Sequence, residues 1–457
     1  MIVNTLIVGG GPAGLAPLVS ASRLGLLDRI MADGIALAER GPMIGAGRIG
    51  RYAINSDSTA NTLVNCVCDN PYPPLAALRD HPVTRAIAAH QSGSVPLALV
   101  GEFMQVLGIA LRDLLLASGN NVLLEHEALS SKRLSDGSWR TKLRRLADGA
   151  VVFVDSRFVV LATGGHQPWS YLERHRVGGR PLLPFYAEKL VQSDETLTAS
   201  GLAAIGHRLA KGRSKRVAIV GSSSSAMACA NAILRSSFGQ DLGAGAVTLL
   251  HRRPLRIFYP SATEALADGY NEFGSEDICP ISGFVFRLSG LRLEARDLLM
   301  AVRGIGGRPR EERLRLHQIE AGADHAAAGI LDDADVVIAA LGYRPRALPL
   351  LTSSGSRIEL FGDDSGARPL VDSNCRVLDR RGAPIEGLLG IGLGSGFFSR
   401  ELVGGELSFS GQTNSLWQWQ NAIGALIARQ IQVTTVAAPL KRTPIAAMPA
   451  LPRLQSV

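Results

Sequence analysis

Cysteine is scarce in this 457-residue chain, which has five, at 66, 68, 229, 279 and 375. An odd and scattered set builds no disulfide framework, so a reducing, cytoplasmic setting is the expectation. Aromatic residues make up only 5% and charged residues 19%, yet 46% are hydrophobic, which excludes an intrinsically disordered chain. No uninterrupted apolar run reaches the roughly 18 residues of a membrane span, and no membrane partner is expected. The apolar start lacks a basic leader and runs straight into glycines, for which a secretion signal has no use. Lysine is nearly missing: of 48 basic residues six are Lys and 42 are Arg, so the net charge of +8 is an arginine effect. These arginines are dispersed and not interleaved with aromatics, which argues against a nucleic-acid groove and leaves an anionic cofactor as the better use of the charge. No His-x-x-x-His or Cys-x-x-Cys spacing occurs, so no metal site is expected.

What is present is an alternation of short β-branched runs with helical stretches, the pattern of a parallel α/β fold. Strands are expected at Thr5–Val8, Ile35–Ala38, Phe158–Ala162, Val217–Val220, Val247–Leu250, Val336–Ala339 and Leu388–Ile391. Two of them, at Thr5 and Val217, open similar units of strand, small-residue turn, helix and strand. The expected architecture is two Rossmann-like dinucleotide-binding domains, the second inserted in the first: residues 1–165 and 343–432 around an insert at 166–342. Gly201–Arg216 reads as a connecting segment, and residues 433–457, rich in Pro and Ala, as an extended tail.

The first turn reads Leu-Ile-Val-Gly-Gly-Gly-Pro-Ala-Gly, giving Gly9-x-Gly11-x-x-Gly14 with Pro12 and Ala13 inside it. Gly9 permits the tight turn, Gly11 lets backbone approach a pyrophosphate, and Gly14 lets helix and strand pack closely. The helix start then offers free N–H groups and a positive dipole end to the phosphates. The following strand ends at Glu39, beside Arg40, where an acid suits an unphosphorylated ribose 2′-OH.

The second turn is Gly221-x-Ser223-x-Ser225-Ala226, with Ser222 and Ser224 completing a run of four serines. Ser223 stands where a second glycine is expected; its side chain crowds a pyrophosphate, while its hydroxyl is able to bond one. After the next strand comes His251-Arg252-Arg253 in place of the acid, and two guanidiniums suit a 2′-phosphate, hence NADPH. The bland alternative is a serine-capped helix with arginine on the surface.

Two such units, one nested in the other, resemble the FAD- and NADPH-dependent two-domain flavoproteins. Phe158–Gly165, Phe-Val-Val-Leu-Ala-Thr-Gly-Gly, and Asp335–Tyr343, Asp-Val-Val-Ile-Ala-Ala-Leu-Gly-Tyr, look like the paired segments by which such chains cross between domains; Leu341 replaces the usual Thr in the second. This implies cofactor contacts at Ala162, Thr163, Gly164 and Gly342. Gly387–Gly392 resembles the late strand that brings backbone, here Gly392, near the flavin, although Leu393 stands where an Asp often follows. Within that group the chain is most similar to the N-hydroxylating flavin monooxygenases, such as lysine and ornithine N-hydroxylases. The Gly-x-Ser-x-Ser-Ala turn is similar to their Gly-x-Gly-x-Ser-Ala. Gln192-Ser193-Asp194-Glu195 occupies the place of their His-Ser segment, and Gly269–Phe273 resembles their Phe-x-Asn-Glu-x-Phe stretch.

The resemblance implies that NADPH reduces FAD, that oxygen adds to give a peroxyflavin, and that one oxygen passes to a small polar substrate, most plausibly an amine nitrogen. The implied partners are that substrate and O2, with a homo-oligomer as a common assembly. Asn271 is then placed to hold NADP⁺ or substrate through its amide, or else to cap a loop. Asn55 and Ser56 either line the flavin or build a turn. Gly411 and Thr413, before an apolar helix, either aim that helix at the flavin or cap it. A flavin-dependent NAD(P)H reductase or dehydrogenase without oxygen insertion shares the domain plan; its disulfide version needs a redox pair, and only Cys66 and Cys68, with one residue between them, offer one. A degenerate serine-rich second site, with electrons from a separate reductase, is a third possibility.

Overall fold

The computed structural model describes residues 1–362 and 368–432; the expected tail at 433–457 lies outside the described residues. Strand β1 (Ile2–Val8) leads through the first turn into helix α1 (Pro12–Arg23) and strand β2 (Ile35–Ala38). Helices α2 (Ala60–Cys68) and α3 (Leu97–Ala117) precede β3 (Asn121–Leu123) and an antiparallel run of β4 (His126–Arg133), β5 (Trp139–Arg145) and β6 (Val151–Leu161). In the first sheet β1 lies parallel between β2 and β6, with β3 parallel beyond β2. All four residues of β2 are buried, as a parallel strand covered on both faces requires.

A short strand β7 (Gly165–His166) carries the chain out of this sheet to β8 (Leu190–Gln192) and helix α4 (Ala199–Lys211). Then follow β9 (Val217–Val220), α5 (Ser224–Arg235), β10 (Val247–His251), α6 (Leu293–Arg303), β11 (Leu314–Gln318) and β12 (Val336–Ala339). They form a five-stranded sheet in the order β8-β12-β9-β10-β11, parallel throughout. Val217 and Ile219 enter one core while Ala218 and Val220 enter another, so alternate residues of β9 bury both faces. The return strand β13 (Arg344–Pro345) runs antiparallel to β7, and β14 (Leu350–Leu351), β15 (Arg376–Leu378) and β16 (Pro384–Gly390) complete the first sheet, with β16 parallel to β6.

Each strand expected from the sequence is found, with longer bounds for those at Thr5, Phe158 and Val247 and a shift toward Pro384 for the last. The connecting segment expected at 201–216 is corrected: most of it is α4. Leu202, Ile205 and Leu209 form one apolar stripe, and the Thr198 hydroxyl caps the helix by accepting from Gly201 N at 3.0 Å. Its glycines, which read as linker, serve close packing, since a Cβ on Gly206 would lie 2.6 Å from the Phe238 ring.

The last helix among the described residues, α7 (Gly424–Gln432), lies against α1 and follows a π-helical turn at Trp419–Ile423. A Cβ on Gly424 would meet Ala16 O and Ser20 Oγ, each at 2.5 Å, and Ser20 Oγ donates to Gln420 O at 2.6 Å. Gly424→Val therefore wedges the two helices apart and is expected to lower stability by about 1–3 kcal/mol, measured as a lower urea midpoint.

Candidate active site and nucleotide turns

At the end of β1, Gly9 has φ +104, and a Cβ there would sit 2.3 Å from Ala162 O, so the backbone following β6 presses directly on the turn. A Cβ on Gly14 would meet Gly9 O at 1.9 Å, which fixes α1 against the strand end. Helix α1 begins at Pro12 with Gly11 at its N-cap and no side-chain cap, leaving amides directed out of the turn. Glu39, half-buried at the end of β2, accepts from Gly10 N at 2.6 Å and from Gly41 N at 2.7 Å. Arg40 beside it is exposed. Gly392, with φ +113, passes close to Ala13, while Thr413 is buried and bonded through its hydroxyl to Phe397 O at 3.1 Å. The helix after it starts at Leu416 with Ser415 as its cap, so Gly411 and Thr413 belong to the loop docked on residues 396–397. The structure thus brings Gly9, Gly11, Pro12, Ala13, Gly14, Glu39, Ala162 and Gly392 into one cradle. An absent Cβ at each close approach, free helix amides and an acid at the next strand end fit an adenine dinucleotide.

The second turn repeats the first. Gly221 has φ +152, and a Cβ on it would lie 2.3 Å from Ala340 O, in the segment leaving β12. Helix α5 starts after Ser223 with no side-chain cap. The hydroxyls of Ser222, Ser223, Ser224 and Ser225 form no hydrogen bond among the described residues, so the capping alternative is not what this turn does. At the end of β10, His251 is buried and its ring bonds Arg253 O, which turns the two arginines outward. Arg252 donates to Arg176 O, and the Arg253 guanidinium has no ion-pair partner among the described residues. Hydroxyls, amides and free guanidinium together fit a phosphorylated dinucleotide.

The crossing segments meet between the turns. Thr163 Oγ1 donates to Arg346 O, Arg346 N donates to Gly164 O at 3.2 Å, and β7 and β13 pair alongside. Here a polar cluster forms that no local motif announced. Asp194 Oδ1 accepts from Tyr52 Oη at 2.5 Å and Tyr343 Oη at 2.9 Å, and Oδ2 accepts from Arg48. Burial alone would raise this carboxyl, but the two phenols and the guanidinium outweigh it and hold it below the usual range. Burial pushes both tyrosines up, so they remain neutral donors.

The remaining expected site residues are dispersed. Asn55 Nδ2 donates to Glu294 on α6 at 2.7 Å, and Glu294 also takes Asn231 and Arg235 of α5, so Asn55 ties the first domain's loop to the second sheet's helices. Ser56 is buried in a turn, donating to Ser58 O at 2.6 Å and accepting from Val95 N at 3.0 Å. Asn271 is exposed, between buried Tyr270 and the Glu272–Arg303 ion pair. No cluster of metal-ligating side chains occurs among the described residues, and no helix among them is long and apolar enough to cross a membrane.

No family model matches the chain. It is 32% identical over 446 residues, 93% of this chain and 97% of the relative, to CMP-5'-(3-aminopropyl)phosphonate hydroxylase from Streptomyces rubellomurinus. The chain belongs to the family of this hydroxylase. Solved structures with the same fold include ornithine hydroxylase from Pseudomonas aeruginosa (TM-score 0.53) and L-lysine 6-monooxygenase from Pseudomonas syringae (TM-score 0.52). Each is 14% identical and matches 94% of this chain and 99% of its own.

The geometry gives Cys66 and Cys68 no redox pairing. Cys66 is buried on α2, where burial pushes its thiol up to about 12, while Cys68 is exposed at the end of that helix. Both are free, and two residues apart on a helix they face different ways. The double variant Cys66→Ala, Cys68→Ala is expected to keep NADPH-dependent turnover within about twofold of the parent; loss of activity with the fold and flavin retained would restore a dithiol mechanism.

Proposed function

We propose that this enzyme holds FAD at the turn around Gly9–Gly14 and NADPH at the turn around Gly221–Ser225, and hydroxylates a primary amine on a small anionic substrate. In this reading residues 1–165 and 343–432 form the FAD domain and 166–342 the inserted NADPH domain. The observation that carries it is the equivalence of the two turns: each glycine presses on an alanine carbonyl, and each helix starts uncapped. Their difference assigns them, with Glu39 beside the first and Arg252 and Arg253 beside the second.

Bound FAD, reduced by NADPH, supplies activated oxygen, and the chain supplies binding, orientation and a dry setting. Gly11 and Ala13 offer backbone to the FAD pyrophosphate, and Glu39 keeps lone pairs for the ribose. The four serine hydroxyls and Arg253 hold the NADPH phosphates. Gly392 would bring backbone near the flavin and Asn271 would present its amide to ligand, while Asn55, bonded to Glu294, and Ser56, turned into its own loop, hold the segment that carries them. The substrate class comes from the relative, whose named substrate carries an amine on a phosphonate joined to a nucleotide; an aminoalkyl phosphonate, free or nucleotide-linked, is the first candidate.

Anaerobic mixing with NADPH is the test. NADPH is expected to bleach the bound flavin, and in air an aminoalkyl phosphonate is expected to stimulate NADPH oxidation with an N-hydroxylated product in matching amount. Flavin bleaching followed by turnover with a quinone or disulfide, with no need for oxygen, would support the reductase instead. Arg252→Ala with Arg253→Ala is expected to weaken NADPH about tenfold, some 1.4 kcal/mol, with NADH unchanged. Equal losses for both nucleotides would remove the 2′-phosphate role.

A further inference from the structure

We propose that Asp194 is a positioning residue that locks the NADPH domain against the FAD turn, and so sets the geometry for electron transfer between the two nucleotides. The inference rests on the cofactor assignment above but not on the identity of the substrate.

The geometry begins in the loop 41–50. Gly45 N donates to Gly10 O at 2.7 Å, and a Cβ on Gly47 would lie 3.3 Å from Gly11 Cα and 3.0 Å from Pro12 Cδ, so this loop rides on the first nucleotide turn. Arg48 follows directly, and Tyr52 lies just beyond, tied by a backbone bridge to Thr198. On the other side, Tyr343 directly follows Gly342 and lies three residues beyond Ala340, the residue pressing on Gly221. Arg48 thus reports the first turn and Tyr343 the second, while Tyr52, bridged to Thr198 and packed on the second core, joins the two sides.

Asp194 is the group all three bond, from a third segment, the entry into the NADPH domain just after β8. That segment is held in turn by Gln167 of the outgoing crossover: its Oε1 accepts from Asp194 N at 3.1 Å and its Nε2 donates to Ser193 Oγ at 2.8 Å. The Asp194 side chain is 16% exposed, whereas Arg48 is 46% exposed. A charge-assisted network with so little solvent is worth more than a surface ion pair, and losing the charge leaves two half-buried phenols with a weaker, neutral acceptor and each other. Arg48 alone, being exposed, contributes little.

The test is Asp194→Asn, which keeps the shape and removes the charge, with Tyr343→Phe as the milder variant. Both are expected to retain FAD and to be reduced by dithionite as the parent is. Their anaerobic reduction by NADPH is expected to slow at least tenfold, with more hydrogen peroxide released per NADPH oxidised. The Tyr343→Phe change is expected to add little in the Asp194→Asn background, because one network is broken only once. In the FAD-free protein, amide exchange at residues 48–52 and 341–346 is expected to quicken together in Asp194→Asn. Parent-like reduction by NADPH and parent-like coupling in Asp194→Asn would overturn the proposal, as would strictly additive effects of the two changes. A parent enzyme whose flavin NADPH does not bleach would instead sink the cofactor assignment, and the latch with it. Failure to hydroxylate an amine would touch only the substrate reading.

Discussion

The structure depends on two contacts between a glycine and an alanine carbonyl, Gly9 on Ala162 and Gly221 on Ala340. In each, the turn that ends a parallel strand lies so close to the neighbouring strand's exit that a Cβ would sit 2.3 Å from an oxygen. Both glycines have positive φ, which makes side-chain-bearing residues doubly unfavourable there. Because Ala162 and Ala340 begin the two crossing segments, these contacts place the nucleotide turns and the connection between the sheets at once. A displaced turn would displace β7 and β13, and through Tyr343 the Asp194 cluster as well.

What was legible in the sequence follows from how locally each feature is built. A turn of this kind takes its glycines, helix start and strand-end residues from one short stretch, so the geometry of both turns could be read directly. Strands buried on both faces were equally plain, as in β2, β9 and β12. The β4–β5 pair was not, because one face is solvated and its polar and basic residues blur the apolar signal. Helix α4 was hidden by glycines that serve packing against Glu195 and Phe238.

The Asp194 cluster lay furthest from view. Its bonds join residues 142, 146 and 149 positions apart, and although Asp194 and Tyr343 lie in segments singled out in the sequence, nothing local joins them to Arg48 and Tyr52. Asn55 and Ser56 show the converse: a polar run that reads equally as flavin lining or as turn places one amide on Glu294 and one hydroxyl inside its own loop. The arginine excess resolves in the same structural terms. Arg292 lies over Phe258, Arg296 over Tyr259 and Arg344 over Tyr171, and many others form surface pairs, so among the described residues the positive charge is spread through packing. Arg253, at a strand end beside an uncapped helix, is one of the arginines without an ion-pair partner among the described residues.

In the proposed reaction one atom of dioxygen enters the substrate's amine. Turnover under isotopically heavy dioxygen, with an aminoalkyl phosphonate and NADPH, tests it most directly. One heavy oxygen on nitrogen in the product, with consumption of one NADPH for each product formed, is the predicted result. Product carrying no heavy oxygen, or equal turnover once dioxygen is removed and a quinone supplied, would contradict it.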